Sequence, residues 1–192
     1  SISHMGFVLL GIFAWNQLAL QGAIMVMLAH GVTTGAMFIL VGDVGDRLHS
    51  RDIAKMGGLW AALPQHGGFA LFFNAATLGL PGLGNFIGEI LVLIGVYRVS
   101  PVLAMIATLG FIASTIYALW MVQAAFFGKE THGYHLQRST PRELAIMAVM
   151  AVAITWLGLY PQPFLNTAQR AVQALQQQTP RPGATAFIEN QK

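Results

Sequence analysis

The sequence predicts an all-α membrane protein of about five transmembrane helices, one of which is broken by glycine and proline. Of its 192 residues, 55% are hydrophobic and only 9% are charged, whereas about a quarter of the residues in soluble domains are charged. The apolar residues also lie in long runs separated by short polar stretches, which is typical of proteins that cross the bilayer several times.

Composition excludes several classes of function. The formal net charge of +3 is too small and too scattered to predict a nucleic-acid partner. The chain has no cysteine, which excludes disulfides, Cys-ligated zinc and Cys-ligated iron–sulfur clusters. It also carries no dinucleotide fingerprint, P-loop or zinc motif. We therefore expect this chain to bind no metal and no cofactor.

The first two apolar segments, 1–16 and 18–42, are predicted to be transmembrane helices. The apolar run of the first, Ile2–Trp15, would span only about 21 Å, less than a hydrocarbon core of ~30 Å, so we expect it to be clipped from a longer polypeptide. It lacks the basic flank of a signal peptide. The second is long enough to cross, and Gly42-Asp43 predicts its end. A polar loop, 43–64, follows, with a short interfacial helix expected around Ser50–Met56.

Residues 65–98 are predicted to form a broken transmembrane helix. A continuous helix of this length would extend about 50 Å, which is too long for one ordinary crossing. Its middle reads Gly79-Leu-Pro-Gly-Leu-Gly84, and Pro81 removes a backbone donor and disfavours helix before it. We expect half-helices over 65–78 and 86–98, as in transporters where broken helices line ion paths.

The remainder of the chain contains two further predicted spans. These are 102–127 and 143–160, separated by a polar loop, 128–142. The polar C-terminal tail, 161–192, has an amphipathic stretch near Phe164–Leu175 and a Pro/Gly-rich, irregular stretch at Thr179–Thr185.

The positive charges near the membrane predict the topology. Most of them lie in the loops 43–64 and 128–142, as Arg47, Arg51, Lys55, Lys129, Arg138 and Arg142. Because cytoplasmic loops carry the excess of Lys and Arg, we expect both loops to be cytoplasmic and the C-terminus to be periplasmic.

Three ionisable residues are predicted to lie at membrane depth: His4, His30 and Glu89. Such residues are costly in lipid and usually face a protein interior or a wet cavity. Glu89 is predicted in the first turn of the second half-helix, where the helix dipole stabilises the carboxylate while poor solvation opposes its charge. It is either a proton-relay carboxylate or a structural carboxylate paired with Lys or Arg on another helix.

The two histidines carry weaker signals. An imidazole can receive and pass a proton near neutral pH, so His30 is either a relay or a neutral hydrogen bond between helices. Thr33 and Thr34 lie one turn on and could orient its ring or hold a water. His4 is either a relay or an interfacial histidine.

Other polar and small residues favour ordinary structural roles. His132 and His135 have i, i+3 spacing in a loop, which is weak evidence for a metal and better explained by a solvated loop. The small residues Gly31, Gly35 and Gly110 favour close packing of helices.

An ordered set of motifs resembles the antiporter-like membrane subunits of respiratory complex I. The motifs are Ser1-Ile-Ser-His4-Met-Gly, Ala29-His30-Gly31, Arg51-x-Ile53 followed by Gly57-Gly58-Leu59, Leu80-Pro81-Gly82 and Phe86-x-Gly88-Glu89. The resemblance covers roughly residues 1–175. Each motif is weak alone, but the ordered set is specific.

The resemblance implies an architecture and a role for each ionisable residue. Members of the family have two inverted repeats, each with a broken helix, and half-channels that meet at a central polar axis. This chain resembles the later part of the second repeat and the C-terminal helices. Glu89 would then end the second half-channel, His30 would relay on the central axis, and His4 would continue that axis. One subunit type carries glutamate at the Glu89 position, whereas its sister subunits tend to carry lysine.

The resemblance also implies a function and partners. It implies a proton-translocating subunit of an NADH:quinone oxidoreductase, coupled to quinone reduction elsewhere, with FMN, iron–sulfur clusters and quinone in other subunits. Expected partners are the other membrane-arm subunits, including sister antiporter-like subunits, a missing N-terminal portion of the same chain, and the lipid of a bacterial inner membrane. The alternatives are a homologous subunit of a multi-subunit Na⁺/H⁺ antiporter or membrane-bound hydrogenase, and a purely structural membrane subunit.

Overall fold

The computed structural model describes residues 1–50, 52–53, 56–127 and 139–178. Within these ranges the chain is helical and contains no strand, so the predicted all-α fold is confirmed. The helices are α1 (Ile2–Ala14), α2 (Gln17–Leu48), α3 (Leu59–Ala62), α4 (Pro64–Thr77), α5 (Gly84–Tyr97), α6 (Pro101–Val122), α7 (Pro141–Leu159) and α8 (Gln162–Gln178). A π-helical turn, Gln123–Phe127, extends α6.

Three of the described helices are long and apolar enough to cross a membrane: α2, α6 with its π-helical turn, and α7. Two others, α1 and α5, are apolar but shorter. The helices α4 and α5 lie where the two halves of the broken helix were predicted. The chain is therefore a membrane protein with one interrupted helix among continuous ones.

The second helix is longer than the sequence predicted. An end at Gly42-Asp43 is wrong, because α2 continues to Leu48 and ends at His49, whose φ is 50°. The polar connection predicted over 43–64 thus begins inside a helix. The short helix expected around Ser50–Met56 falls partly on residues 51, 54 and 55, which lie outside the described ranges.

Contacts with other elements explain why α2 continues past its local stop signal. Val44 is buried in the larger of the two apolar clusters. Arg47 donates to the backbone carbonyl of Asp43 and forms an ion pair with Glu143 at the start of α7. Gly42 has no positive φ, so tertiary contacts override its weak propensity to end the helix.

The C-terminal region contains an amphipathic helix, α8, over the stretch for which amphipathicity was predicted. Its buried residues are Ala168 and Val172, and the Gln176 side-chain amide donates to the backbone carbonyl of Trp15 at 3.3 Å. This helix therefore packs against the corner between α1 and α2. The loop histidines His132 and His135 and the Thr179–Thr185 stretch lie outside the described residues.

The closest helix packing joins α2 and α5. A Cβ placed on Gly88 would lie 2.6 Å from the backbone nitrogen of Val26, and one on Gly95 would lie 2.6 Å from that of Ala19. Gly31 and Gly110, for which the sequence predicted close packing, take no part in it among the described residues, since a Cβ on either would meet no described atom within 4 Å. Gly35 makes only an ordinary contact with the end of Met150, at 3.5 Å.

The break between α4 and α5 lies against protein on one side, whereas Leu80 on its other side is 52% exposed. Gly79 and Gly82 have φ angles of 69° and 95°, a conformation that glycine adopts without strain. A Cβ on Gly158 of α7 would overlap the backbone of Gly82, and one on Gly84 would lie 3.2 Å from Cβ of Ala29. The non-helical backbone thus lies against α7 and α2, as membrane depth requires.

Candidate functional site

The fold brings together the three ionisable residues that the sequence singled out. His4 lies on α1, His30 on α2 and Glu89 on α5, and their exposed fractions are 4%, 8% and 2%. Nδ1 of His4 is hydrogen-bonded to Oε1 of Glu89 at 3.0 Å. The ring centroids of His4 and His30 lie 5.0 Å apart. Three residues from distant parts of the sequence therefore form one buried polar cluster.

Within the described part of the chain, only one of the two carboxylate oxygens of Glu89 has a hydrogen-bond partner. Oε1 contacts His4, whereas Oε2 is buried and has no hydrogen-bond partner among the described residues. Oε2 faces the helix break, because a Cβ placed on Gly79 would overlap it. An unpaired buried carboxylate oxygen is costly, and a bound water commonly satisfies such a group.

The position of Glu89 on its helix differs from the prediction. The first turn was expected, but α5 already begins at Gly84, which places Glu89 in the second turn. The effect of the helix dipole falls off within the first turn. His4 is therefore the local stabiliser of this carboxylate. In the described part of the chain its ion-pair contact is with this histidine and not with a lysine or arginine.

His30 lies between two hydroxyl groups. Its Nε2 is 3.1 Å from Ser1 Oγ, and Thr34 Oγ1 is 3.2 Å from Nδ1 and 3.1 Å from Nε2. Thr33 does not contact the ring, since its hydroxyl donates to the backbone carbonyl of Ala29 at 3.0 Å. Of the two threonines expected beside His30, only Thr34 lies there.

The two histidine rings are near neighbours that are tilted by 38°. The hydrogen bonds that each ring makes with described residues go to other groups, His4 to Glu89 and His30 to Ser1 and Thr34. A proton passing between the rings therefore needs a bridging water or a ring rotation, whereas the step between His4 and Glu89 follows an existing hydrogen bond.

Asn85 is a site residue that the sequence analysis missed. It is fully buried, and its side-chain amide donates to the backbone carbonyl of Ala76 at 2.9 Å and to Thr33 Oγ1 at 3.2 Å. It thereby joins the end of α4 and the start of α5 to α2. Its Oδ1 has no partner among the described residues. Its signal in the sequence is an amide next to the Gly/Pro break, which an expectation based on ionisable residues does not include.

The sequence matches one membrane protein family over residues 1–116, described as "NADH:quinone oxidoreductase/Mrp antiporter, TM". NADH-quinone oxidoreductase subunit M of Pseudomonas aeruginosa is 45% identical over 177 residues, which cover 92% of this chain and 35% of that protein. Subunit M of Escherichia coli K12 is 43% identical over 180 residues, with the same shares. NADH-ubiquinone oxidoreductase chain 4 of Chondrus crispus is 40% identical over 168 residues, covering 86% of this chain and 34% of that one.

Two solved structures have the same fold. Respiratory complex I from Thermus thermophilus contains a chain that matches with a TM-score of 0.83 and 32% identity, covering 89% of this chain and 36% of that one. The Mrp complex from Dietzia sp. DQ12-45-1b matches with a TM-score of 0.81 over 92% of this chain and 41% of that one, but at 17% identity, so this likeness establishes the fold alone. This chain spans about one third of the length of the relatives it matches.

Proposed function

The chain belongs to the NADH:quinone oxidoreductase/Mrp antiporter membrane family, and from this premise we propose that it forms part of a proton-translocating subunit of an NADH:quinone oxidoreductase. The subunit is of the type called M in its bacterial relatives. The observation that carries the proposal is the buried cluster of His4, Glu89 and His30, in which a hydrogen bond already joins the carboxylate to an imidazole.

Glu89 is the proton acceptor of the proposed relay. As a carboxylate it is stabilised by donation from His4 Nδ1, and as a carboxylic acid it is neutral and tolerates its buried position better. Its Oε2, for which the described residues offer no hydrogen-bond partner, faces the break at Gly79. Water at this break would supply or remove the proton, since irregular backbone at membrane depth is typical of wet paths.

His4 and His30 extend the relay away from Glu89. An imidazole can bind a proton at one nitrogen and release another from the second. With the rings 5.0 Å apart, a water or a ring rotation completes the step between them. Ser1 and Thr34 hydroxyls hold His30 in place for that exchange.

The redox chemistry of the proposed complex lies in other subunits. This chain has no cysteine for an iron–sulfur cluster, and we assign FMN, the clusters and quinone to partner subunits. Quinone reduction there changes the electrostatics along the polar axis, and the protonation of Glu89 follows. The partners include the other membrane-arm subunits, sister antiporter-like subunits, and the portion of the relatives' length that this chain does not span.

The proposed location is the bacterial inner membrane, which the chain crosses several times. The segments 43–64 and 128–142 face the cytoplasm and the C-terminus faces the periplasm, because Lys and Arg concentrate on the cytoplasmic side. The packing of α8 near Trp15 is consistent with this orientation, since both lie at the end of the bundle opposite to these segments.

The test is proton pumping by the intact complex in membrane vesicles with Glu89→Gln beside wild type. Gln preserves the size of the side chain and a hydrogen-bond partner for His4, but it cannot bind and release a proton. We expect proton transport per electron to fall severalfold or more while the complex assembles, with NADH oxidation recorded in the same vesicles.

Asp46→Asn is the matched control, because Asp46 is an exposed carboxylate at the end of α2. It should leave pumping and electron transfer unchanged. Normal pumping by Glu89→Gln at normal turnover would remove Glu89 from the relay and favour a structural role for the cluster.

A further inference from the structure

A second polar cluster lies at the other end of α2, away from the relay residues. It contains Asp43 and Arg47 of α2, His66 of α4 and Glu143 of α7, and one ligand atom each from Asp43, His66 and Glu143 lie within 4.8 Å of one another. His66 is only 2% exposed, although it lies near the end of the bundle. Three separate elements thus bring nitrogen and oxygen donors to one point.

Two of these donors have no hydrogen-bond partner among the described residues. His66 Nδ1 is hydrogen-bonded to Ser139 Oγ at 2.8 Å, which fixes the orientation of the ring. Its Nε2 and Asp43 Oδ2 are both buried without a hydrogen-bond partner among the described residues. They face each other at 3.6 Å, which is longer than an ordinary N–H···O hydrogen bond.

We propose that Asp43, His66 and Glu143 bind a divalent transition-metal ion such as Zn²⁺. Two ligands each about 2.1 Å from a zinc ion in tetrahedral geometry are roughly 3.4 Å apart, close to the separation of His66 Nε2 and Asp43 Oδ2. Ser139 holds the second ring nitrogen, as outer-shell groups do for metal-binding histidines. With Nδ1–H donated to Ser139, Nε2 directs its lone pair towards Asp43.

Glu143 is the third ligand, and its existing contacts limit the affinity of the site for a metal. Its Oε2 already accepts hydrogen bonds from Arg47 and from the Thr140 backbone, so Oε1 is the oxygen that turns to the metal. The positive charge of Arg47 beside the site opposes a second cation. We therefore expect a reversible, moderate-affinity site in which zinc holds α2, α4 and α7 together. This inference does not depend on the proposed function.

The test is direct zinc binding by the full-length protein, purified with the subunits that assemble with it. Equilibrium dialysis against ⁶⁵Zn²⁺ should give one fewer bound ion in His66→Gln than in wild type, or at least tenfold weaker binding at that site. Co²⁺ in place of zinc should give a visible absorption band in wild type that the variant lacks.

His49→Gln is the matched control, since His49 is exposed at the end of the same helix and lies outside the cluster. It should bind zinc as wild type does. Superimposable zinc isotherms for wild type and His66→Gln would refute the site. If His66→Gln does not assemble, Ser139→Ala replaces it. Loss of the outer-shell hydroxyl should weaken binding about 10- to 100-fold, and unchanged binding would again refute the site.

Discussion

His4 Nδ1 and Glu89 Oε1 lie 3.0 Å apart in a buried contact that joins α1 to α5. The identity of this partner bears on the proposed relay. A lysine or arginine at this distance would hold a permanent charge beside the carboxylate and fix it in the ionised form. Histidine is not a permanent cation, so this partner does not lock the carboxylate in one charge state.

The first prediction concerns the coupling of this pair. His4→Ala should lower proton pumping severalfold, because it removes the donor to Glu89 and the next group of the relay. Residues in direct contact are coupled by about 0.5–3 kcal/mol, so the double variant His4→Ala/Glu89→Gln should pump no less than Glu89→Gln alone. Protons pumped per electron, measured in vesicles for both single variants and the double variant, give this comparison. Losses that multiply in the double variant would mean that the two residues act independently.

The second prediction concerns Gly79, which lies beside Oε2 of Glu89. Gly79→Ala should destabilise the protein by at least about 1–2 kcal/mol, the cost of a left-handed conformation for a residue with a Cβ. The methyl group would also displace Glu89 Oε2 and so reduce pumping. The midpoint of thermal inactivation and pumping per electron measure the two effects.

Gly68→Ala controls for the added methyl group, since a Cβ there meets no described atom within 4 Å and Gly68 has no positive φ. Its pumping and thermal midpoint should match those of wild type. A Gly79→Ala variant with normal pumping would show that the space beside Oε2 is not needed for the relay.

Local sequence signals predicted the residues of the buried polar cluster and the broken helix, but not the contacts between helices. His4, His30 and Glu89 stand out because ionisable groups are rare in apolar runs, and Pro81 with its flanking glycines marks the break. The end of α2 was missed because contacts of Val44 and Arg47 with distant elements decide it. His66 was missed because it lies near the end of a segment, where only tertiary structure reveals its burial.

The third prediction concerns Asn85, which joins the two halves of the broken helix to α2. Asn85→Leu keeps the size of the side chain but leaves the Ala76 carbonyl without this donor. A buried polar group left unpaired costs about 1–3 kcal/mol. We expect a lower thermal midpoint and reduced pumping, because the position of Glu89 one turn along α5 depends on the same junction.

The exposed Asn166 of α8 supplies the matched substitution for this experiment. Asn166→Leu should change stability by no more than about 0.5 kcal/mol. If Asn85→Leu were as stable and as active as Asn166→Leu, the hydrogen bonds of Asn85 would not hold the junction.

The fourth prediction concerns the close contact of α2 and α5 at Gly88, the residue before Glu89. Gly88→Ala should destabilise the assembled protein by about 1–3 kcal/mol, a typical cost of overpacking a core. The added Cβ would lie 2.6 Å from the Val26 backbone nitrogen, and backbone cannot move aside without separating the helices. Gly110→Ala, for which the described chain offers open space, should have no such effect.

Because Glu89 follows Gly88 directly, separation of α2 and α5 should also move the carboxylate away from His4. Pumping should therefore fall together with thermal stability in Gly88→Ala, and a stable, fully active variant would mean that this contact does not position the relay.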